Sequence, residues 1–241
     1  MEAVAAQHGR RRGRWMVLTL LALAATALIV GIVELSTQKP DRNQVRLDGI
    51  GDAQEIFGGV QQDGDSIGSP DAPVSIQFFD DLQCSSCRDQ FLSTIPTLVE
   101  SYVRPGDLRM EYRHYSFSPS TEELGFFGAE AAADQDYAWP YIYLFFRNQD
   151  EAKRVGVSED FLTAIAGAIP ELDVPHWRDY LNSEGGAGGQ IEDRLAGYEK
   201  LGTDLSIRAQ PAAIVNGPNG TRTLQDSPTL SQITSAIGAV G

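Results

Sequence analysis

The run Val74-Ser75-Ile76-Gln77-Phe78-Phe79 leads directly into Cys84-Ser85-Ser86-Cys87, which holds the only two cysteines of the chain. The run is apolar enough for a buried strand, and a helical pattern follows it from Arg88. A strand that delivers a C-x-x-C pair to the start of a helix is a redox arrangement. Unpaired backbone N–H groups and the positive end of the helix dipole stabilise a thiolate there. The second sulfur lies one turn on, where it can close on the first. Cys84 is therefore expected as the attacking sulfur and Cys87 as the resolving one. A bond between cysteines so close in sequence closes no large loop, so a structural role is weak on physical grounds.

Charge narrows the partners. The formal net charge is -14. Four of the basic residues, Arg10, Arg11, Arg12 and Arg14, lie at the N-terminus, so the remainder is more acidic still. Such a surface argues against nucleic acid, which needs a basic footprint.

Trp15 to Val33 is nearly unbroken apolar sequence. As a helix it spans about 29 Å at ~1.5 Å per residue, close to the ~30 Å hydrocarbon core. It is longer than the apolar region of a cleaved signal, and the sequence after Val33 is a poor cleavage site, so it reads as an uncleaved signal-anchor. The arginines precede it and are expected to stay in the cytoplasm. The rest of the chain is then extracytoplasmic, where disulfides form and persist. The expected organisation is a basic cytoplasmic tail over 1–14, a single-pass membrane anchor over 15–35, a polar linker over 36–55, and one domain over 56–241.

Within that domain, Phe91, Ile95, Leu98 and Val99 share a helical face, with Pro96 expected to kink the helix. Leu108 to Tyr115 alternates as a strand. This β-α-β start argues an α/β sheet. Ser120-Thr121-Glu122-Glu123 is a capping box before an Ala-rich helix. Helices then follow near 139–146, 161–168, 175–181 and 190–201, the last ended by Gly202. Ala212-Ala213-Ile214-Val215 and Arg222 to Leu224 read as strands about a turn, and Ser227-Pro228 opens a final helix. The order is β-α-β, helices over about 118–202, then β-β-α.

That order, with C-x-x-C after the first strand and Pro211 just before the third, resembles a thioredoxin fold carrying a helical insertion. It is similar to the membrane-anchored, DsbA-like thiol–disulfide oxidoreductases of bacteria. The match is carried by Gly68-Ser69-Pro70-Asp71-Ala72-Pro73-Val74, by Phe79, Asp81 and Gln83 before the cysteines, by Tyr112-Arg113-His114-Tyr115, and by Gln210-Pro211-Ala212-Ala213-Ile214-Val215-Asn216-Gly217. The resemblance implies catalytic Cys84 and Cys87, with Ser85 and Ser86 as active-site neighbours. It implies a cis peptide bond at Pro211, with Gln210 and Pro211 binding an extended substrate strand. It implies unfolded or cysteine-containing secreted proteins as substrates, no diffusible cofactor or metal, and reoxidation by a quinone-linked membrane partner of the DsbB or vitamin K epoxide reductase type.

Three departures stand out. Ser85-Ser86 replaces the family's proline followed by histidine or an aromatic. Without that histidine the Cys84 thiol is expected higher, and the disulfide less oxidising, than in histidine-bearing members. The family's buried acidic residue, six positions before the first cysteine, is Phe78 here, and Asp80-Asp81 reads as a solvated strand end. Gln210 replaces the usual threonine or valine. A reductase or isomerase is the alternative within enzymes, and a non-catalytic thioredoxin-like binding module the alternative outside them. His114 reads as structural and His176 as a surface residue, and with the two cysteines they match no compact zinc spacing.

Overall fold

The central strand β3, Val74–Asp80, is flanked on both sides, which is why it reads as a nearly continuous apolar run. In the computed structural model it pairs parallel with β4, Leu108–His114, from Val74 opposite Leu108 to Asp80 opposite His114. On its other side it pairs antiparallel with β5, Ala212–Gly217, from Ser75 opposite Asn216 to Phe79 opposite Ala212. The hairpin strand β6, Gly220–Leu224, extends the sheet beyond β5. Two short strands, β1 (Gln62–Asp63) and β2 (Ser66–Ile67), extend it beyond β4, giving the order β1-β2-β4-β3-β5-β6. Strands of two residues have no periodicity to read, and the sequence presents this segment only as turn-rich. The structure describes residues 44–117, 124–184 and 189–241.

The first helix among the described residues, α1, spans Ile50–Phe57 and packs Ala53 and Phe57 into the core, with the Phe57 ring edge-on to Tyr143 at 5.7 Å. This corrects the expected linker. The compact unit begins at Val45 rather than at 56, and residues 45–55 are part of it. The reason is long-range. Asn148 accepts the Asp48 N–H at 2.7 Å and donates back to the Asp48 carbonyl at 3.0 Å, while Val45, Leu47, Ile50 and Ala53 pack on the core. The remainder of the expected linker, the 15–35 anchor, the 1–14 tail and the capping box at 120–123 lie outside the described residues. Among the described residues no helix is long and apolar enough to cross a membrane.

Helix α2, Ser85–Leu98, lies on the sheet with Cys87, Phe91, Ile95 and Leu98 inward. It continues through Pro96 and widens into a π turn over Val99–Val103. The insertion comprises α3 (Leu124–Ala133), α4 (Ala138–Arg147), α5 (Gln149–Val155), α6 (Glu159–Gly167), α7 (Val174–Glu184) and α8 (Gln190–Asp204). It docks on α2 through aromatic side chains. Phe91 stacks on Trp139 at 5.9 Å and meets Phe146 at 4.8 Å. Such rings bring large buried area with defined geometry. Helix α8 runs two residues past Gly202, where the expected end stood. A Cβ there would meet the Tyr115 ring at 2.5 Å, so this glycine serves a close approach to β4 rather than a helix stop. The last helix, α9 (Leu230–Val240), covers β5 and opens with a capping box made by Thr229 and Gln232.

Candidate active site

Strand β3 ends in a tight turn that delivers Cys84 to the mouth of α2. The Cys84 N–H donates to the Asp81 carbonyl at 3.0 Å, and the Asp81 carboxylate accepts the Gln83 N–H at 2.8 Å. Cys84 is the N-cap, with extended backbone (φ -74°, ψ 122°), and its sulfur accepts the Cys87 N–H at 3.2 Å. The Ser86 hydroxyl lies 3.1 Å from the same sulfur. Ser85 is exposed. Both cysteines are free thiols, Cys84 partly exposed and Cys87 fully buried.

The two sulfurs are driven apart electrostatically. The Cys84 thiol is lowered to about 6, first by the hydrogen bond from the Cys87 thiol, with further help from the Ser86 hydroxyl and the Cys87 N–H, against partial burial. The Cys87 thiol is pushed far up by the same sulfur–sulfur hydrogen bond, by burial and by the charge of Asp80. One sulfur is therefore an accessible thiolate near neutral pH and the other a protected thiol.

Asp80 departs from the sequence expectation. It is fully buried rather than solvated, and among the described residues only the Cys87 thiol bears on its carboxyl as a hydrogen-bond donor. Positions 78 and 80 share one face of the strand, because side chains alternate with period 2. The acidic group has moved one pleat toward the cysteines from the position that Phe78 fills. Burial raises its carboxyl well above the usual range, and the negative charges of Cys84 and Asp81 raise it further. The Tyr112 hydroxyl donates to its main-chain carbonyl at 3.2 Å.

His114, the strand neighbour of Asp80, is buried and stacked on Phe126 at 4.6 Å. Burial pushes its imidazole down to about 4, so it is neutral at pH 7. His176 lies on α7, with its Nε2 atom 2.8 Å from Asp134. The Gln210–Pro211 peptide is cis, as the resemblance implied. Extending the β3–β5 register by one residue places Pro211 opposite Asp80, at the same end of the sheet as the cysteines. Gln210 is partly buried, and its Oε1 atom has no protein partner.

One neighbour escaped the sequence reading altogether. Gln149, the first residue of α5, is buried and donates to the Leu82 carbonyl at 2.6 Å and to the Cys84 carbonyl at 3.1 Å. Helix α5 is short and highly charged, so no apolar period marked it.

Comparison with known proteins agrees with this geometry. The family model described as Thioredoxin matches residues 61–232. A probable disulfide bond formation protein D of Bacillus cereus is 23% identical over 210 residues, covering 86% of this chain and 90% of that protein. Disulfide bond formation protein D of Bacillus subtilis is 22% identical over 152 residues, covering 62% of this chain and 66% of that protein. Among solved structures, oxidised BdbD from Bacillus subtilis superposes with a TM-score of 0.61 at 18% identity, covering 74% of this chain and 95% of that one. Wolbachia pipientis alpha-DsbA1 gives 0.58 at 17% identity, covering 76% and 91%. The chain belongs to the thioredoxin family, with a DsbA-like fold, and is a thiol–disulfide oxidoreductase.

Proposed function

We propose that the chain oxidises dithiols in secreted or membrane proteins, working outside the cytoplasmic membrane and tethered to it by residues 15–35. The observation that carries this reading is the pairing of a partly exposed Cys84 thiol, lowered to about 6, with a fully buried Cys87. A sulfur that is stable as a thiolate is a good leaving group, which favours passing a disulfide on to a client. The Bacillus relatives named for disulfide bond formation support the same direction.

In the reaction, a client thiolate attacks Cys84 Sγ. A mixed disulfide forms and the Cys84–Cys87 bond breaks. The departing Cys87 sulfur takes a proton from Asp80. With Cys84 held in the mixed disulfide its negative charge is gone, which eases ionisation of the Asp80 carboxyl. The client's second thiolate then attacks its own sulfur in the mixed disulfide and releases Cys84 as thiolate. Two electrons have moved from client to dithiol. A quinone-linked membrane partner of the DsbB or vitamin K epoxide reductase type would remove them. Gln210 and Pro211 would receive an extended client strand.

The test is equilibration of the Cys84–Cys87 pair with glutathione, together with oxidation of a reduced, unfolded dithiol protein by the oxidised chain. A potential nearer about -120 mV than -270 mV supports the oxidase, and the reverse assigns a reductase. A Cys84→Ala chain that retained full function would assign a binding module.

A further inference from the structure

We propose that Gln149 is a positioning residue for the reactive cysteine: from the helical insertion, its carboxamide grips the two main-chain carbonyls flanking the Cys84 turn and holds that sulfur at the helix mouth. The inference rests on the redox reading of the dithiol.

A carboxamide has two N–H donors. Here Nε2 reaches the Leu82 carbonyl at 2.6 Å and the Cys84 carbonyl at 3.1 Å, across 67 and 65 residues of chain. The Cys84 carbonyl is also the first acceptor of α2, taking the Arg88 N–H at 3.1 Å. Gln149 therefore fixes the peptide on which both the cap geometry and the start of the helix depend. The Leu82 carbonyl sits in a buried turn, where an unpaired acceptor is costly. Gln149 supplies its partner.

The start of α5 has other contacts as well. Its neighbour Asn148 donates to the Leu144 carbonyl at 2.7 Å and to the Asp48 carbonyl at 3.0 Å. One residue further on, Asp150 approaches the Arg88 guanidinium at 3.5 Å, a second and exposed link between α5 and α2.

Gln149 Oε1 is buried without a protein partner. Leaving a buried acceptor unpaired costs about 1–3 kcal/mol, which a leucine or methionine of similar volume would avoid. A side chain retained only for packing has no reason to carry that cost. The two donors account for it.

The test compares Gln149→Leu, Gln149→Glu and Asn148→Ala in the whole chain. The readouts are Cys84 titration by thiolate absorbance, the equilibrium constant with glutathione, and thermal stability. Gln149→Glu keeps the shape but, once ionised, has no proton to donate. Both Gln149 variants are expected to raise the Cys84 thiol by about half a pH unit or more, a roughly threefold fall in its ionisation constant, Gln149→Glu by the larger amount. The glutathione equilibrium should shift about threefold toward the disulfide. Asn148→Ala should lower stability and leave the Cys84 titration in place. If Gln149→Leu titrates like Asn148→Ala, the positioning role is refuted while the redox reading stands. If the unmodified dithiol does not exchange with glutathione at all, the redox reading fails, and this inference with it. Gln149→Met carries the same comparison should the leucine variant not fold.

Discussion

Replacing Asp80 by asparagine separates the cost of the buried carboxyl from its use. The side chain is fully buried, and among the described residues only the Cys87 thiol bears on its carboxyl as a donor. Its carboxyl lies well above the ordinary range, chiefly through burial. At low pH the group is protonated in both folded and unfolded chains and contributes no pH dependence. As pH rises past the unfolded value of about 3.9, the unfolded chain releases this proton and the folded chain does not. The unfolded state then binds fewer protons, so folding stability falls with rising pH. Asparagine removes that slope. Holding that proton at pH 8, about four pH units above the unfolded value, costs several kcal/mol at ~1.4 kcal/mol per unit, while the unpaired amide left behind still costs about 1–3 kcal/mol. The net gain at pH 8 is therefore about 2 kcal/mol, shrinking to near zero at pH 4. For a domain of this size that raises the melting temperature by about 4–8 °C. The same variant loses the proton donor and acceptor beside Cys87. General acid–base assistance is worth about 10²-fold at the low end, so dithiol oxidation should slow by a factor of that order. Thermal melts of the oxidised chain at pH 4, 6 and 8, with stopped-flow dithiol oxidation, read both effects. A variant less stable than the parent at pH 8 would show that the native carboxyl is stabilised as an ion. An unchanged rate would remove Asp80 from the proton path.

Alkylation of the reduced chain should follow a single titration near pH 6, from Cys84 alone, with Cys87 unreactive throughout. Because the folded Cys84 value lies below that of the unfolded thiol, this group stabilises the reduced chain above the unfolded thiol's range, and that contribution is lost as pH falls to about 6. Mass spectrometry that found both sulfurs labelled at pH 7 would contradict the asymmetry. Ser86→Ala should raise the Cys84 thiol by about half a pH unit or more, because it removes a hydroxyl 3.1 Å from the sulfur, whereas exposed Ser85→Ala should leave it in place. Equal titrations in the two variants would refute that assignment. Arg194→Met strips the partner from buried Glu130, whose carboxyl burial has already pushed up to about 7. Below pH 7 the acid can protonate, so the loss should be mild at pH 6 and approach about 3 kcal/mol at pH 8 in urea titrations. An equal loss at both values would show that the pair is not what holds the charge.

The sheet and the dithiol were legible because their signals are local. Val74 to Phe79 is a buried strand by composition, Leu108 to His114 alternates, and a cysteine at an N-cap has a defined environment wherever it occurs. Pro211 was legible through the order of motifs around it, since the register that sets it beside Asp80 is a long-range property. Asp80 misled because two adjacent acids look like a solvated strand end, while only the sheet's register shows that the first shares the buried face of Phe78. The segment before Phe57 misled for a related reason. Its side chains pack on elements distant in sequence, and its backbone is held by Asn148, a hundred residues away. Gln149 gave no signal at all. A glutamine at the start of a charged helix looks like surface until the fold brings two main-chain carbonyls to it.

The serine pair bears most directly on the direction of electron flow. A helix N-terminus and neighbouring positive charge lower such thiols to about 3.5 in DsbA and only about 7 in thioredoxin. Cys84, at about 6, lies between them, and its causes explain why. The Cys87 thiol, the Cys87 N–H and the Ser86 hydroxyl all donate to the sulfur, but among the described residues no cation contributes, and Asp81 opposes the shift. Dipoles alone thus carry the stabilisation that a charged neighbour would strengthen. Ser86→His supplies that neighbour at the position where a histidine is common in the resembled family. It should lower Cys84 by at least one further pH unit, and so shift the glutathione equilibrium about tenfold toward the dithiol, about 30 mV. Client oxidation should become more complete as the driving force rises. If Ser86→His leaves the equilibrium constant unchanged, thiolate stabilisation does not set this chain's redox poise, and the argument from the serine pair to its direction of action fails.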